Sequence, residues 1–201
     1  MKIIVGLGNP GEKYLKTRHN CGEFYLGKLR NGWSDQPKAG PPGAGNYFFK
    51  ESKHALWADI KIGKEKVFLI FPTEMMNNSG VSLKRALTAL KLKPKPNDIL
   101  VIHDDLDIDF GKIKLSFAKS SAGHKGVESV IKNLKSDKFW RLRIGISPKK
   151  KPDHTKILDL LLKKFKPEEE KILNKNSKRI IAGLETWLEN PQKAMSILNS
   201  N

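Results

Sequence analysis

One cysteine, Cys21, stands among 201 residues, so no internal disulfide can form and stability has to come from packing. A lone thiol fits a reducing compartment. Of its two open roles, nucleophile or small packed residue, the packed role is favoured. Long apolar runs are also missing. Met1–Leu7 is too short and too soon broken by glycine for a secretory leader, and no stretch reaches transmembrane length. The expected setting is therefore the cytoplasm, with no membrane partner. Acids are scarce beside bases, with 21 Asp and Glu against 38 Lys and Arg, for a net charge of +17. In successive quarters of the chain the basic excess is 5, 4, 5 and 3, which excludes a localised basic tail and places the charge on the folded body. Such a field attracts polyanions, nucleic-acid phosphate above all. With 38% hydrophobic residues the chain suits one compact α/β domain over residues 1–201.

Apolar runs and breakers divide the chain. Lys2–Leu7 (KIIVGL) reads as a buried strand ended by the turn GNPG, and Glu12 to about Lys28 has helical stretches anchored by Tyr14, Phe24 and Leu29. Asn31–Asn46 is a loop, followed by strands at Tyr47–Lys50, Ala55–Ile62 and Lys66–Phe71, with a hairpin turn at Gly63 to Glu65. Pro72–Ser79 is a further loop and Val81–Leu92 a helix. Strands at Ile99–His103, Ile113–Phe117 and Arg141–Ile146 enclose a short helix at Gly126–Leu134. Residues 147–156 form a solvated connection to a helical C-terminal part. Ile157–Leu162 makes a turn or two, and a long helix from Pro167 carries Ile172, Leu173, Ile180, Leu184 and Trp187 on one face. Residues 191–201 make a short frayed turn. The whole is expected to be a twisted, mixed, mostly parallel central sheet flanked by helices.

Three polar residues of catalytic type fall where strands end. Asn9 follows the first strand, Asn77 lies in the loop after Lys66–Phe71, and Asp104 follows Ile99–His103. Ligands of open α/β sheets bind outside the carboxyl ends of strands. The run GLGNPG also matches a dinucleotide-binding fingerprint, but Pro10 removes an N–H from the phosphate cradle and no second strand ending in an acid follows about 20 residues on. Asp105, Asp107 and Asp109 alternate as in a calcium loop, yet Phe110 and Ser116 fill positions that such a loop cannot give them. A magnesium site on Asp104 and Asp105 stays open. The favoured alternative has the outer aspartates offset Lys112, Lys114 and Lys119. Among five histidines, His54 and His154 need no role, His103 suits the core, and His124 could touch phosphate or cap a helix. His19, between Arg18 and Asn20, is a functional candidate.

Taken together, the segments resemble bacterial-type peptidyl-tRNA hydrolase through nearly the whole chain. The carrying motifs are VGLGNPGEKYLKTRHN at Val5–Asn20, PTEMMNNSG at Pro72–Gly80, HDDLDIDFGKIKL at His103–Leu115, AGHKGVESVI at Ala122–Ile131 and FWRLRIGI at Phe139–Ile146. The resemblance implies hydrolysis, without cofactor or metal, of the ester between a peptide and the terminal ribose of tRNA. It implies a monomer acting on the acceptor stem and CCA end of peptidyl-tRNA. His19 matches the catalytic histidine and Asp104 the carboxylate that orients it. Asn77 matches the amide that binds the tRNA end and supports developing charge, and Asn9 the residue that distinguishes N-blocked groups. Tyr14 and Met75 match positions against the 3′ end, where bases can stack. Arg143 and Lys114 would hold tRNA phosphates.

One departure stands out. The family usually has His-Asn-Gly where this chain has His124-Lys125-Gly126, after Ser120-Ser121 where glycines are common. Lysine donates but cannot accept as an amide oxygen does. Its ammonium near His19 is expected to lower the histidine pKa. Substrate contact through Lys125 is still expected. The substitution also keeps open a second reading, an RNA-binding relative with weak or no catalysis, while GLGNPG alone supports a third, a nicotinamide-dependent oxidoreductase.

Overall fold

The structure is a computed structural model that describes residues 1–33, 50–148 and 153–200. Three sequence runs are apolar at nearly every position: β1 (Lys2–Gly6), β4 (Glu65–Pro72) and the first half of β5 (Ile99–Asp109). Strands covered on both faces read this way, and these occupy the middle of a seven-stranded sheet. With β2 (Lys50–Ser52), β3 (Ala55–Ile62), β6 (Ile113–Phe117) and β7 (Trp140–Ser147), the order is β2-β3-β4-β1-β5-β7-β6. The central four, β4-β1-β5-β7, run parallel, with Ile4 beside Leu69 and Leu100. Antiparallel strands finish both edges. The expected mixed sheet with a parallel centre is what forms, as one domain.

Helices cover both faces. On one, α1 (Cys21–Gly32), α5 (Pro167–Glu189) and α6 (Pro191–Asn199) pack Tyr25, Leu29, Leu184 and Trp187 against Ile4, Leu100 and Leu142. On the other, α2 (Ser79–Ala89) and α3 (Lys125–Leu134) cover Ile3, Val5 and Val101. The remaining helix, α4 (Ile157–Leu162), has no buried residue and has the range read from the sequence. No helix among the described residues is long and apolar enough to cross a membrane.

Several boundaries differ from the sequence reading. Helix α1 continues through Asn31 to Gly32, where a loop was expected. The remainder of that loop, most of the Tyr47–Lys50 strand and residues 149–152 of the connection lie outside the described residues. The loop after β4 tightens into a single 3₁₀ turn, Met76–Asn78, and α2 starts at once at Ser79. In α5 the buried stripe is Leu173, Ser177, Ile180, Leu184 and Trp187, which leaves Ile172 off it at 44% exposed. Glu169 folds back to accept from the Lys166 amide at 2.8 Å, and three glutamates sit in the positive first turn.

The C-terminus is the largest departure. Residues read as a frayed turn form α6, capped by Asn190, whose side chain accepts from the Lys193 amide at 3.0 Å. Ala194 and Leu198 are fully buried against α5. Asn199 then pairs by its side chain with Leu115 on the edge strand β6, accepting at 2.7 Å and donating at 3.0 Å. That contact occupies part of an edge that would otherwise offer free backbone groups. Leu198→Ala is expected to cost about 2–5 kcal/mol in denaturant unfolding, as core truncations do. A frayed turn would lose under about 0.5 kcal/mol.

Candidate active site

The site lies where β1 stops and β5 does not. Their last paired residues are Gly6 and Ile102, and the Leu7 amide still donates to the Ile102 carbonyl at 3.0 Å. The chain then turns off the sheet through Gly8–Gly11, while β5 continues beside β7 to Asp109. Asp104 was expected at a strand terminus. It is instead a mid-strand residue, exposed to a neighbour because the adjacent strand has left. Gly22 makes this possible from the other side, since a Cβ there would collide with the backbone of both Leu7 and Ile102. Helix α1 can therefore start directly against the sheet. Of the glycines in GLGNPG, Gly6 serves this close packing by abutting the Gly22 backbone, while Gly11 supplies the positive φ of the turn, 106°.

His19 sits in the 3₁₀ turn Arg18–Asn20 that leads into α1, between two anchored neighbours. Arg18 is buried, donates to the carbonyls of Lys163 and Lys164 at 3.2 and 3.1 Å, and grips Glu169 with a bidentate pair at 2.6 and 2.8 Å. Asn20 exchanges hydrogen bonds with the Asn9 backbone, accepting from its amide at 2.9 Å and donating to its carbonyl at 2.8 Å.

So held, His19 places Nδ1 3.0 Å from both Asp104 carboxylate oxygens. Asp104 is 3% exposed and receives a second imidazole, His124 Nε2, at 3.0 Å. His124 caps α3, and its Nδ1 accepts from the Gly126 and Val127 amides at 3.1 and 3.3 Å. A ring nitrogen that accepts from two amides carries no proton, so the proton is on Nε2 and points at Asp104. The carboxylate thus collects two N–H donors. Burial works against its charge, and the two histidines outweigh this and hold it far below the usual carboxylate range. For His19, burial likewise opposes the charged ring, but the charge of Asp104 and its hydrogen bond prevail and raise the pKa. With Nδ1 turned to Asp104, Nε2 is the free base.

His19, Asp104 and His124 have their ligand atoms within 4.8 Å of one another, the composition of a metal site. Their hydrogen bonds fit one poorly. A metal on His124 would need the Nε2 lone pair, and moving the proton to Nδ1 would set it against the two amides of α3. Asp105 points to the opposite face and donates nothing to such a site, because it holds the Arg143 Nε at 2.7 Å. This corrects the expected pairing of Asp105 with the lysines, while Asp109 does pair with Lys112 at 2.8 Å.

The other sequence candidates are spread around this centre. Asn9 is 5% exposed, and its Oδ1 accepts from the Met76 amide at 2.8 Å, which fixes the amide orientation and leaves Nδ2 free to donate. Met75 is 42% exposed and Asn77 is exposed in the adjoining 3₁₀ turn, while Tyr14 is half-buried beneath the Lys13 ammonium. Lys114 and Arg143 face each other across β6 and β7. Lys125 is exposed and turns to Glu128 at 3.2 Å. It is not among the groups that act on His19, whose pKa rises where a neighbouring lysine was expected to lower it.

The cleft between these parts has a volume of about 740 Å³ and is lined by His19, Asp104, His124 and Lys125, with an apolar wall from Leu106, Ile157, Leu158 and Leu161. Cys21 is fully buried, and burial pushes its thiol pKa up, as befits a packed residue. His103 is likewise core, donating from Nδ1 to the Asp104 carbonyl at 2.7 Å with its ring edge-on to His124. Two contributors are not evident from the sequence: His124 reads only as a cap or a phosphate contact, and Asn20 carries no signal of its own.

The family model for peptidyl-tRNA hydrolase matches residues 3–201. The chain belongs to the peptidyl-tRNA hydrolase family. It is 39% identical to a peptidyl-tRNA hydrolase of Aquifex aeolicus, over 99% of this chain and 96% of that one, and 40% identical to one of Fervidobacterium nodosum, over 98% and 96%. A crystal structure of peptidyl-tRNA hydrolase from Acinetobacter baumannii superposes with a TM-score of 0.84 at 26% identity, over 100% of this chain and 95% of that one. Three of the five motifs that suggested peptidyl-tRNA hydrolase line the cleft, through His19, through Asp104 to Asp107, and through Ala122 to Lys125, while Asn77 and Asn78 of a fourth line the adjoining hollow.

The opposed forces on His19 give a direct test by NMR titration of its ring. Its pKa is expected above 6.5 in the wild type. In Asp104→Asn burial acts without the carboxylate charge, and the pKa is expected to fall below that of the wild type.

Proposed function

We propose that the chain cleaves the ester between a peptide, or an N-blocked amino acid, and the terminal ribose of tRNA, recycling tRNA from interrupted translation. The observation that carries the mechanism is the His19–Asp104 hydrogen bond, closed at 3.0 Å between residues 85 apart in sequence. Membership of the peptidyl-tRNA hydrolase family carries the substrate class.

In this reading His19 Nε2 takes a proton from water as the water oxygen attacks the ester carbonyl carbon. Asp104 stabilises the imidazolium that forms, and His124 holds Asp104 ionised and oriented. The amides of Asn9 and Asn77 donate toward the substrate: Asn9 to the blocked amino end, Asn77 to the tRNA end and the developing oxyanion. Collapse of the tetrahedral intermediate expels the ribose oxygen, which recovers the proton from His19. No step uses a metal or cofactor. The apolar wall from Leu106 and α4 receives the side chains next to the ester, which spares them exposure to water.

The tRNA is engaged at its acceptor stem and CCA end. Tyr14 and Met75 offer faces to the unpaired 3′ bases, Lys125 meets a phosphate, and Arg143 with Lys114 holds phosphates further out. The enzyme acts as a monomer in the cytoplasm, in keeping with its lone buried thiol and basic surface. The catalytically weak relative suggested by Lys125 loses ground, because Lys125 is turned outward and leaves the dyad intact.

Release of N-acetyl-aminoacyl groups from tRNA is expected to continue in chelator. His19→Ala is expected to lower kcat by about 10²–10⁴-fold, the span of a general base, with little change in tRNA affinity. Chelator-sensitive turnover or a fully active His19→Ala would overturn the mechanism.

A further inference from the structure

The catalytic cleft does not end at Lys125. On the far side of that residue a groove runs between α2 and α3, lined first by Asn77, Asn78, Lys125, Glu128 and Lys132, with a volume of about 350 Å³. Val81 and Asn133 close this part, and both also line the next hollow along α2, whose walls are Lys84, Arg85 and Thr88, with a volume of about 540 Å³. The two hollows meet at these shared residues and make a channel of two parts. Its floor is the contact of Gly80 with Ser129, where the Gly80 amide donates to Ser129 Oγ at 3.0 Å and any Cβ would strike the α3 backbone. The helices touch there, and their longer side chains stand up as walls.

The chemistry of those walls is one-sided. Lys84, Arg85, Lys125 and Lys132 are exposed cations, and Glu128, bound to Lys125, is the only acid lining the channel. Lys84, Arg85 and Lys132 make no ion pair among the described residues. Carboxamides of Asn77, Asn78 and Asn133 alternate with them, able to donate to phosphate oxygens and to accept from sugar hydroxyls. Helix α2 is 11 residues long, so the channel extends about 16 Å from the cleft. Packed helices lie about 8–10 Å apart axis to axis, so a groove between them matches one strand of nucleic acid in scale, and a duplex would ride on the rims.

We propose that this channel is the track for the single-stranded 3′ overhang of the tRNA, with its phosphodiesters on Lys84, Arg85 and Lys132. The inference rests on the hydrolase reading given above and extends it to the route by which the substrate reaches His19. A strand lying in the channel passes Asn77 and Lys125 immediately before the cleft. The duplex part of the acceptor stem then stays outside.

The test uses Lys84→Glu/Arg85→Glu, two exposed positions away from the dyad, together with Lys132→Glu. For N-acetyl-aminoacyl-tRNA, the double variant should raise KM at least tenfold at moderate salt and leave kcat unchanged. The log–log salt slope of tRNA binding should shrink by about 1.4, two single-strand phosphates at about 0.7 each. An N-blocked aminoacyl ester of adenosine, which has no phosphodiester, should be cleaved equally by wild type and variant. A single-stranded ACCA oligonucleotide should compete with substrate on the wild type and lose that competition on either variant. An unchanged KM and salt slope would overturn the proposal. So would an equal loss on the adenosine ester, which would mark a folding defect, or undiminished ACCA competition, which would place the lost phosphates elsewhere on the tRNA. Failure of the wild type to cleave either ester would instead overturn the hydrolase reading, leaving ACCA binding to judge the channel.

Discussion

A carboxylate taken out of water is unfavourable by several kcal/mol unless it is paired and hydrogen-bonded. Asp104 meets that demand with two imidazole N–H donors, and much of the surrounding structure exists to deliver them. His19 comes from the turn before α1, and that turn is tied to the C-terminal half of the chain through Arg18, Lys163 and Glu169. His124 comes from the cap of α3, and the free amides of that helix decide which of its nitrogens holds the proton. Two helices from opposite faces of the sheet thus meet at one side chain. Because each imidazole has a fixed orientation, the charge on Asp104 has one outlet toward substrate, the Nε2 of His19.

The same arrangement explains a contrast within the histidines. His19 and His103 are both largely buried, yet their pKa values move in opposite directions. Burial lowers both. His19 has a carboxylate in direct contact, enough to reverse the effect. At His103 burial and the neighbouring His124, with Arg141 adding repulsion, outweigh the charge and the backbone carbonyl of Asp104, so it stays neutral. A neutral, packed His103 is a fixed backing for His124.

Much of this was legible in the sequence. Central strands announced themselves by unbroken apolar runs, and β3, β6 and α4 had the ranges read from periodicity. The candidates His19 and Asp104 meet, Asn9 is tied to Asn20 beside His19, and Asn77 and Lys125 share the adjoining channel. What periodicity could not supply was long-range pairing. The acidic burst after His103 suggested a strand end, but β7 supplies a partner that carries β5 on to Asp109. The C-terminal segment has few apolar residues and looked frayed. Its helix is fixed by two buried side chains and by the Asn199 clasp on β6, contacts with residues far away in sequence. His124 was ambiguous for a similar reason: a cap is a local pattern, but a cap whose second nitrogen reaches Asp104 is a tertiary fact.

The Lys125 departure changes meaning once the site is three-dimensional. Read in sequence, it put a charge beside the catalytic base, where it would lower the histidine pKa. In the fold it stands 72% exposed at the junction of cleft and channel, turned toward Glu128. Surface ion pairs of this kind contribute little to stability, about 0–1 kcal/mol, so Lys125 can exchange Glu128 for a phosphate at small cost. An asparagine there could only hydrogen-bond locally. A lysine adds a mobile charge to a basic wall that already holds Lys84, Arg85 and Lys132. On the proposed function the substitution would serve the capture of a polyanion, and the ester chemistry would stay with residues that are buried and fixed.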